Sequence, residues 1–403
     1  MHIVKRGGFS QVSKLGLAGF FTSLGIAAVT TIWAVYLESY LHNASYVGFV
    51  TAFFMIVGVV AYIFWVPFIE KHKKTKVYSF ILLLFALFYV LFSMISNIFL
   101  IILLGIAVSV IGSLRISLYG IIIRDKTRDT SVSKNEGFIY TVLNLAFFVA
   151  PILAGYIASN LGINFVFLFG AATIFISFVL MNFFGIQDNR VKKKIDKKPH
   201  RIFLDFFKKK KRVISYILSG GRDFWWVLIY IYIPIYIFDA GLGEEIIGYF
   251  LGAVVIPLIL VEYSVGKYVG KRGFKKVFFF GYLILAVSAF ICFFVSNIYV
   301  ILIILSLASF GAGMVESTTE SYFLDIITKE ERDKFYPAYN TTIGISSFFS
   351  RALGAVVLLI FPFKFIFILF GVFMLGVSFF SFKAKNIVEE TRVKFKNKKA
   401  LVH

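Results

Sequence analysis

Seven ionisable residues lie inside stretches of sequence that are otherwise long and apolar: Arg115, Arg222, Asp223, Glu262, Glu316, Glu320 and Arg351. An ionised group held away from water is costly, so such residues face a polar cavity or an opposite charge. In a half-dry cavity a carboxyl group holds its proton more strongly, and an approaching guanidinium weakens that hold. These residue types predict reversible proton binding and directed binding of polar ligands. Because three positive groups face four acids, we expect most of them to form ion pairs.

Four of these charges share one predicted depth. At a rise of about 1.5 Å per residue, they lie roughly 5–7 Å to the same side of the centres of their apolar stretches: Arg115, Arg222, Asp223 and Glu316. The alternative to a functional layer is a structural or gating network. Adjacent residues project about 100° apart on a helix. We therefore expect that Arg222 and Asp223 do not both face one point.

The predicted layer contains two kinds of candidate. The proton-coupling candidates are Asp223, Glu316 and the more peripheral Glu320, which lies one helical turn beyond Glu316 and has an inner-gate role as its alternative. The substrate-binding candidates with a positive charge are Arg115 and Arg222. They suit an anionic or hydroxyl-rich substrate, because a guanidinium offers several directed donors.

Aromatic residues near these charges are candidates for a substrate cage: Trp33, Tyr36, Tyr119, Trp226 and Tyr230. Tyr119 and Trp226 each follow an arginine by one helical turn. Packing and anchoring at the membrane interface are the alternative for each aromatic residue. The two remaining charges are predicted to be structural. Glu262 lies beside a basic loop and is expected to form a salt bridge there, whereas Arg351 lies in the middle of its stretch.

The apolar stretches that must position these residues define the fold class. The chain has 403 residues, of which 59% are hydrophobic and 16% charged, against about 25% charged in soluble domains. Apolar runs of about 20 residues have the length that crosses a bilayer. We predict an all-α integral membrane protein with twelve transmembrane helices, near residues 15–38, 46–68, 77–96, 99–123, 137–158, 163–186, 213–238, 245–266, 277–296, 299–323, 335–361 and 363–383.

Loop charges predict the orientation of these helices. The segment 187–212 carries twelve Lys/Arg against three Asp, and the tail 383–403 carries seven against two Glu. The alternate loops are nearly free of Lys and Arg, which places both termini in the cytoplasm by the positive-inside rule. The net charge of +21 therefore indicates a lipid bilayer as partner and no nucleic acid.

Several chemistries have no support in the sequence. The single cysteine, Cys292, excludes an intramolecular disulfide and a cysteine metal cluster. The chain has no Gly-x4-Gly-Lys-[Ser/Thr] phosphate loop, so ATP hydrolysis is not predicted. We expect no metal, no cofactor and no enzyme activity.

The chain repeats itself with an offset of 200 residues. Ten of 35 positions in 71–105 match 271–305, including Ser96-Asn97-Ile98 against Ser296-Asn297-Ile298. Gly48 and Gly248 keep the same offset. Two like halves that both start inside indicate a parallel repeat. The predicted organisation is a six-helix bundle at 1–186, a basic cytoplasmic linker with an interfacial helix at 187–212, a second bundle at 213–385 and a basic tail at 386–403.

This layout resembles the major facilitator superfamily over essentially the whole chain. Residues 266–276 read Gly-Lys-Tyr-Val-Gly-Lys-Arg-Gly-Phe-Lys-Lys, similar to the family's signature loop of glycine, three residues, acid, base, any residue, glycine and base. Gly270 stands where the family has its acid. The resemblance implies gating or structural roles for Gly266, Lys271 and Gly273.

Two further motifs carry the resemblance. The equivalent loop of the first half keeps Glu70 and Lys71 but lacks the glycines. Residues 150–155 resemble the family's Gly-Pro-x-x-Gly-Gly motif through Pro151 and Gly155, with alanine replacing two glycines. These four residues are also expected to act in gating or structure. In the family, the first, fourth, seventh and tenth helices line a central cavity, which agrees with the shared depth of the charges.

The functional expectation is a secondary active transporter of a small organic solute that works by alternating access. The coupling ion is expected to be H⁺, because titratable carboxyls lie at mid-depth. The protein is expected to be a monomer in the cell membrane, and the direction of transport is open. The alternatives are an uncoupled facilitator, a non-transporting sensor or scaffold with the same fold, and a membrane-embedded enzyme.

Overall fold

The structure of the chain is a computed structural model that describes residues 11–126, 132–186 and 199–387. Helices make up the regular structure of these segments. In chain order they are α1 (Gln11–Leu41), α2 (Ala44–Lys71), α3 (Lys74–Met94), α4 (Ile98–Lys126), α5 (Val132–Leu161), α6 (Ile163–Phe183), α7 (Pro199–Phe207), α8 (Lys210–Val227), α9 (Ile233–Asp239), α10 (Glu244–Arg272), α11 (Lys275–Phe294), α12 (Ile298–Ile326), α13 (Lys329–Ile360) and α14 (Phe365–Phe380).

Eleven helices within the described segments are long and apolar enough to cross a membrane. The twelfth predicted span is formed by α8 and α9, which are joined without a break by a π-helical turn at Leu228–Tyr232. This span is less apolar because it carries Arg212, Arg222 and Asp223. The prediction of an all-α protein with twelve spans is confirmed.

The ends of two helices differ from the predicted spans, which stop at residue 266 and resume at residue 277. α10 continues to Arg272 and α11 begins at Lys275, so the basic segment expected to be a loop after residue 266 is mostly helical. Charged residues such as Lys271 are good helix formers, and they extend a helix beyond its apolar part. The turn itself is made at Gly273, whose φ of +82° is the left-handed conformation that favours glycine.

The Ser-Asn-Ile repeat marks the beginning of two equivalent helices. The Asn97 side chain accepts hydrogen bonds from the backbone N–H groups of Phe99 and Leu100 at the start of α4. Asn297 accepts the same pair of bonds, from Tyr299 and Val300, at the start of α12. An asparagine at this position satisfies donors that the first helical turn leaves free. The repeated residues are therefore capping residues.

The chain divides into two compact units. Unit 1 takes its described residues from Met1–Tyr40, Val57–Lys194 and Leu242–Gly252, and unit 2 takes them from Leu41–Ile56, Ile195–Gly241 and Ala253–His403. Within unit 1, α3 packs on α6, and within unit 2 the equivalent α11 packs on α14. The units differ from the predicted halves in two short segments: 41–56 belongs to unit 2, and 242–252 belongs to unit 1.

Close helix contacts explain this exchange of segments. In unit 1, a Cβ added to Gly248 would lie 2.5 Å from the Pro151 carbonyl oxygen, and one added to Gly155 would lie 2.9 Å from Gly248 Cα. In unit 2, a Cβ on Gly48 would lie 2.8 Å from the Ala355 Cβ. Small residues permit such approach of helix backbones in membranes. Both contacts obey the 200-residue offset.

The short helix α7 forms within the predicted linker and docks on unit 2. Its Phe206 is fully buried in a cluster with Phe323, Phe335 and Tyr339. The opposite side of the helix leaves Leu204 63% exposed. One face of α7 therefore packs on protein while another is free, and its predicted location at the membrane interface stays a prediction.

Candidate functional site

An ion-pair cluster lies inside unit 2, where α8 meets α12. The Arg222 guanidinium donates to Asp223 Oδ1 from Nε at 3.0 Å and from Nη2 at 2.7 Å. Its Nη1 lies 3.4 Å from Glu316 Oε1 and donates to Thr319 Oγ1 at 3.3 Å. A guanidinium has five N–H groups, so most of its donors are already used. One arginine thereby holds a carboxylate on each of two membrane-spanning helices.

The second oxygen of Glu316 is also fixed. The Trp226 indole donates from Nε1 to Glu316 Oε2 at 2.8 Å. Asp223 differs, because its Oδ2 is buried and has no hydrogen-bond partner among the described residues. The side chain of Glu316 is 32% exposed, against 7% for Asp223. The cluster therefore has a buried end at Asp223 and an accessible end at Glu316.

One face of α8 carries the accessible part of the cluster. Arg222, Trp226 and Tyr230 follow one another at intervals of four residues, which places them on one side of the helix. Each is partly exposed, whereas the residues between Arg222 and Trp226 and between Trp226 and Tyr230 are buried. The Trp226 and Tyr230 rings lie 5.6 Å apart at an angle of 43°. An aromatic wall thus continues directly from the charged groups.

The expectation that Arg222 and Asp223 do not face one point is wrong. The two side chains leave the helix in different directions, but the long arginine side chain folds back so that its guanidinium reaches the neighbouring carboxylate. Burial supplies the driving force, because a guanidinium in a membrane-spanning segment is stabilised by the nearest available negative charge. Both residues consequently belong to one cluster.

The expectation that most of the seven charges pair is also wrong. Within the described residues, only Arg222 among the three intramembrane arginines has a carboxylate within 4 Å. Among the described residues, Arg351 Nη1 donates only to the Thr51 carbonyl oxygen, at 3.5 Å, and its buried Nε has no hydrogen-bond partner. The Arg351 carbonyl oxygen accepts from Tyr232 Oη at 2.7 Å. This position agrees with a structural role, which stays a prediction.

The two remaining carboxylates among the seven intramembrane charges, Glu262 and Glu320, have different surroundings. The salt bridge expected for Glu262 is not present among the described residues, because α10 continues past it as a helix and its carboxylate lies within electrostatic range of Glu316 instead. Glu320 accepts a hydrogen bond of 2.6 Å from the Tyr336 hydroxyl on α13. Glu320 is therefore held against a neighbouring helix and is not part of the Arg222 cluster.

The substrate-binding candidates in unit 1 mostly pack against neighbouring side chains. Tyr36 is 2% exposed, donates to the Phe92 carbonyl oxygen and packs edge-on against Phe167, and Trp33 contacts the same two phenylalanines. Tyr36 is thus packed in the core of unit 1, and a substrate contact for it stays a prediction. The pairing of α3 with α6 creates this core.

Arg115 and Tyr119 lie on consecutive turns of α4. The Arg115 guanidinium carbon lies 5.7 Å from the centre of the Phe85 ring. Tyr119 donates to the Leu15 carbonyl oxygen at 3.2 Å and stacks on Tyr78. Tyr119 is therefore held against α1. The Arg115 Nε is buried and has no hydrogen-bond partner in the part of the chain that the structure describes.

The residues of the family motifs have different surroundings. Pro151 and Gly155 form the close contact of α5 with α10 described above. A Cβ on Gly273 would collide with the Asn386 side chain, whereas one on Gly266 would meet no atom of the described residues within 4 Å. Lys271 is exposed in the last turn of α10. The side chains of Glu70 and Lys71 lie outside the described residues.

Sequence reasoning missed Thr319, which is 1% exposed and accepts from Arg222. A usable signal was present, since Thr319 follows Glu316 by three residues and so lies on the same face of α12. Within the described residues, no group of three or more His, Cys, Asp or Glu side chains is placed to hold a metal ion.

Long apolar helices in two units, with an ion-pair cluster inside one of them, define a polytopic membrane protein. The family model of the Major Facilitator Superfamily matches residues 15–273 and 225–401, and the chain belongs to that family. It is a membrane transporter by family, and this membership confirms the prediction that it is not an enzyme.

Individual relatives are distant. The uncharacterized MFS-type transporter MJ1560 of Methanocaldococcus jannaschii is 21% identical over 358 residues, covering 86% of this chain and 89% of the relative. The crystal structure of nucleoside transporter NupG superposes with a TM-score of 0.71 at 14% identity, over 92% of this chain and 99% of that one. The structure of a D-xylose-proton symporter gives a TM-score of 0.73 at 12% identity, over 93% and 97%. These structures share the fold.

Proposed function

We propose that the protein is a proton-coupled transporter of a small organic solute, working by alternating access. The observation that carries the proposal is the Arg222–Asp223–Glu316 cluster, in which one guanidinium faces two carboxylates. With both carboxylates ionised, the cluster has an uncompensated negative charge inside a membrane-spanning segment. Binding one proton removes that charge, and burial favours this neutral state.

The geometry supports Glu316 as the carboxylate that exchanges its proton. Arg222 contacts Asp223 through two nitrogens but approaches Glu316 through one, at 3.4 Å. Glu316 is also the more exposed of the two. A movement of α8 against α12 that lengthens this contact weakens the stabilisation of the ionised form, so proton affinity changes with conformation.

Further support comes from the fold. A D-xylose-proton symporter has the same fold at a TM-score of 0.73, so this architecture accommodates proton coupling. The loop charges support cytoplasmic termini and a location in the cell membrane, and we propose that one monomer is sufficient for transport.

The test is a transport screen in proteoliposomes that contain a pH-sensitive dye. Amines, sugars, nucleosides and carboxylic acids are added class by class under an imposed pH gradient. We expect one class to drive proton movement in the wild type and in Glu245→Gln, a control in the first turn of α10. Glu316→Gln and Asp223→Asn are expected to reduce solute-driven proton movement at least tenfold.

Two outcomes contradict the proposal in different ways. Equal solute accumulation against a gradient by the wild type and both amide variants would identify these carboxylates as uninvolved in coupling. Solute equilibration that ignores the pH gradient would identify an uncoupled facilitator. The absence of movement for all classes under every gradient would favour a sensor or scaffold.

A further inference from the structure

Resting on the proposed function, we infer that the substrate of this site is an organic cation with an apolar body. The notion of an anionic substrate held by Arg222 conflicts with the geometry. Its guanidinium is engaged by Asp223 through Nε and Nη2, and by Glu316 and Thr319 through Nη1. An anion would have to displace carboxylates that already neutralise the arginine.

With its carboxylates ionised, the cluster has a negative charge balance. Asp223 and Glu316 together outnumber Arg222, and Glu262 lies within electrostatic range of Glu316. Glu262 has no positively charged partner within 4 Å among the described residues. The cluster itself therefore contains two carboxylates and one guanidinium. In a partly dry site this excess favours a positively charged ligand, because such a ligand supplies the missing countercharge.

A buried, unsatisfied acceptor also lies in this cluster. Asp223 is only 6% exposed, and its Oδ2 has no hydrogen-bond partner among the described residues. Arg222 contacts only the other oxygen of that carboxylate. Leaving a buried carboxylate oxygen without a donor is costly. A donor or a positive charge beside the cluster would relieve that cost.

The aromatic wall indicates an organic cation. Trp226 donates through its indole N–H to Glu316 Oε2, so the tryptophan ring is fixed beside the accessible carboxylate. Tyr230 continues the wall at 5.6 Å. Aromatic faces attract ammonium and related cations, and tryptophan does so most strongly. An ammonium group can thus contact Glu316 while its apolar body lies along both rings.

The test compares two probes that differ chiefly in the sign of their charge. Tetraphenylphosphonium and tetraphenylborate have nearly the same size and shape. Binding is measured by equilibrium dialysis against the purified full-length protein in nanodiscs, with empty nanodiscs to subtract partitioning into lipid. We expect specific binding of the phosphonium at least tenfold tighter than of the borate.

Variants assign the binding to the cluster. Glu316→Gln should weaken phosphonium binding at least tenfold, and Glu245→Gln should leave it unchanged. Glu262→Gln should weaken it about two- to fivefold, corresponding to about 0.4–1 kcal/mol. Glu262→Gln removes a negative charge and leaves the ion pairs of Arg222 intact. If Glu316→Gln does not fold, weaker phosphonium binding by Glu262→Gln is the result that supports the inference. Borate binding as tight as phosphonium binding, or phosphonium affinity that neither variant changes, would overturn the inference.

This experiment is separable from the test of transport. Equilibrium dialysis measures binding alone, so it requires neither a pH gradient nor the conformational cycle of transport. Phosphonium binding that depends on Glu316, together with absent proton movement, would retain the cation site and reject coupling. Solute-driven proton movement, together with no preference for cations in the binding measurement, would retain proton coupling and reject the cation site.

Discussion

Trp226 and Glu316, which are 90 positions apart in the chain, are joined by a hydrogen bond of 2.8 Å from the indole nitrogen to Oε2. The bond connects α8 to α12 directly beside the Arg222 contact. It fixes the orientation of the carboxylate whose second oxygen lies 3.4 Å from Arg222. The position of Glu316 therefore depends on two neighbours on one helix.

Replacement of Trp226 by phenylalanine tests this relationship. Trp226→Phe keeps an aromatic ring but removes the hydrogen-bond donor. We expect the free energy of unfolding to fall by about 0.5–1.5 kcal/mol. The decrease stays this small because the partly exposed Glu316 carboxylate can form a hydrogen bond with water instead. The apparent melting temperature in detergent should fall. Tyr230→Phe is the matched control for melting, since no hydrogen bond of its hydroxyl is found among the described residues. An equal melting temperature for Trp226→Phe and the wild type would argue against the bond.

Alanine substitution at two glycines of α10 is expected to change the stability of the protein differently. Gly248→Ala places a Cβ 2.5 Å from the Pro151 carbonyl oxygen, and such overpacking costs about 1–3 kcal/mol. The Cβ of Gly266→Ala meets no atom within 4 Å in the described part of the chain, and alanine in a helix interior is favoured over glycine by about 0.5–1 kcal/mol. Thermal unfolding should show a lower melting temperature for the first variant and an unchanged or higher one for the second.

Arg212 is expected to hold α7 on unit 2. It is 3% exposed and donates to the Phe206 carbonyl oxygen at 3.0 Å, and its guanidinium lies 3.8 Å from the Phe335 ring centre. Its Nη1 also lies 3.4 Å from Glu331 Oε1. Arg212→Ala should cost about 2–4 kcal/mol of docking free energy, measured as faster hydrogen exchange in α7.

Lys208→Ala is the control for that measurement. Lys208 pairs with Asp205 at 2.9 Å, but its side chain is 72% exposed, and such surface pairs contribute about 0–1 kcal/mol. Exchange in α7 should therefore change little. If both variants accelerate exchange equally, Arg212 has no special role in docking.

Acid is expected to weaken the docking of α7. The hydrogen bond from Lys209 lowers the pKa of Glu331 from its ordinary value of 4.5. A carboxylate with a lowered pKa in the docked state contributes stability above its ordinary pKa, and that contribution is lost as the pH falls below it. Protection of α7 from exchange should be constant from pH 7 to about 5 and then decrease.

Glu331→Gln tests whether this residue carries the pH dependence. The variant should show weaker protection of α7 at pH 7 and a flatter profile below pH 5. A wild-type profile that persists in Glu331→Gln would assign the titration to another group. Asp205 is the first alternative, because a hydrogen bond from Lys208 lowers its pKa as well.

Much of the fold was readable from local sequence. The apolar runs predicted the membrane spans, since hydrocarbon thickness imposes a length of about 20 residues. The repeat predicted two equivalent parts, and its Asn97 and Asn297 serve as matching helix caps. Helix ends were less predictable, because polar residues at the end of an apolar run, such as Lys271, continue the helix without continuing the apolar pattern.

The candidate site was only partly readable. Depth along a helix depends on residue number alone, so the sequence placed Arg222, Asp223 and Glu316 at one level. Which side chains touch depends on how the helices rotate and on how long side chains fold. The bond between Arg222 and Asp223 was missed for this reason.

The sequence by itself thus determined the class of protein, the number of spans and the residues that carry charge into the membrane, because hydrophobicity and spacing are properties of each segment. Only the tertiary structure decided that Arg222 is shared by Asp223 and Glu316, that Trp226 fixes Glu316, and that Glu262 has no ion-pair partner among the described residues. Side chains on separate helices meet only after packing fixes each helix's rotation, which no single segment encodes.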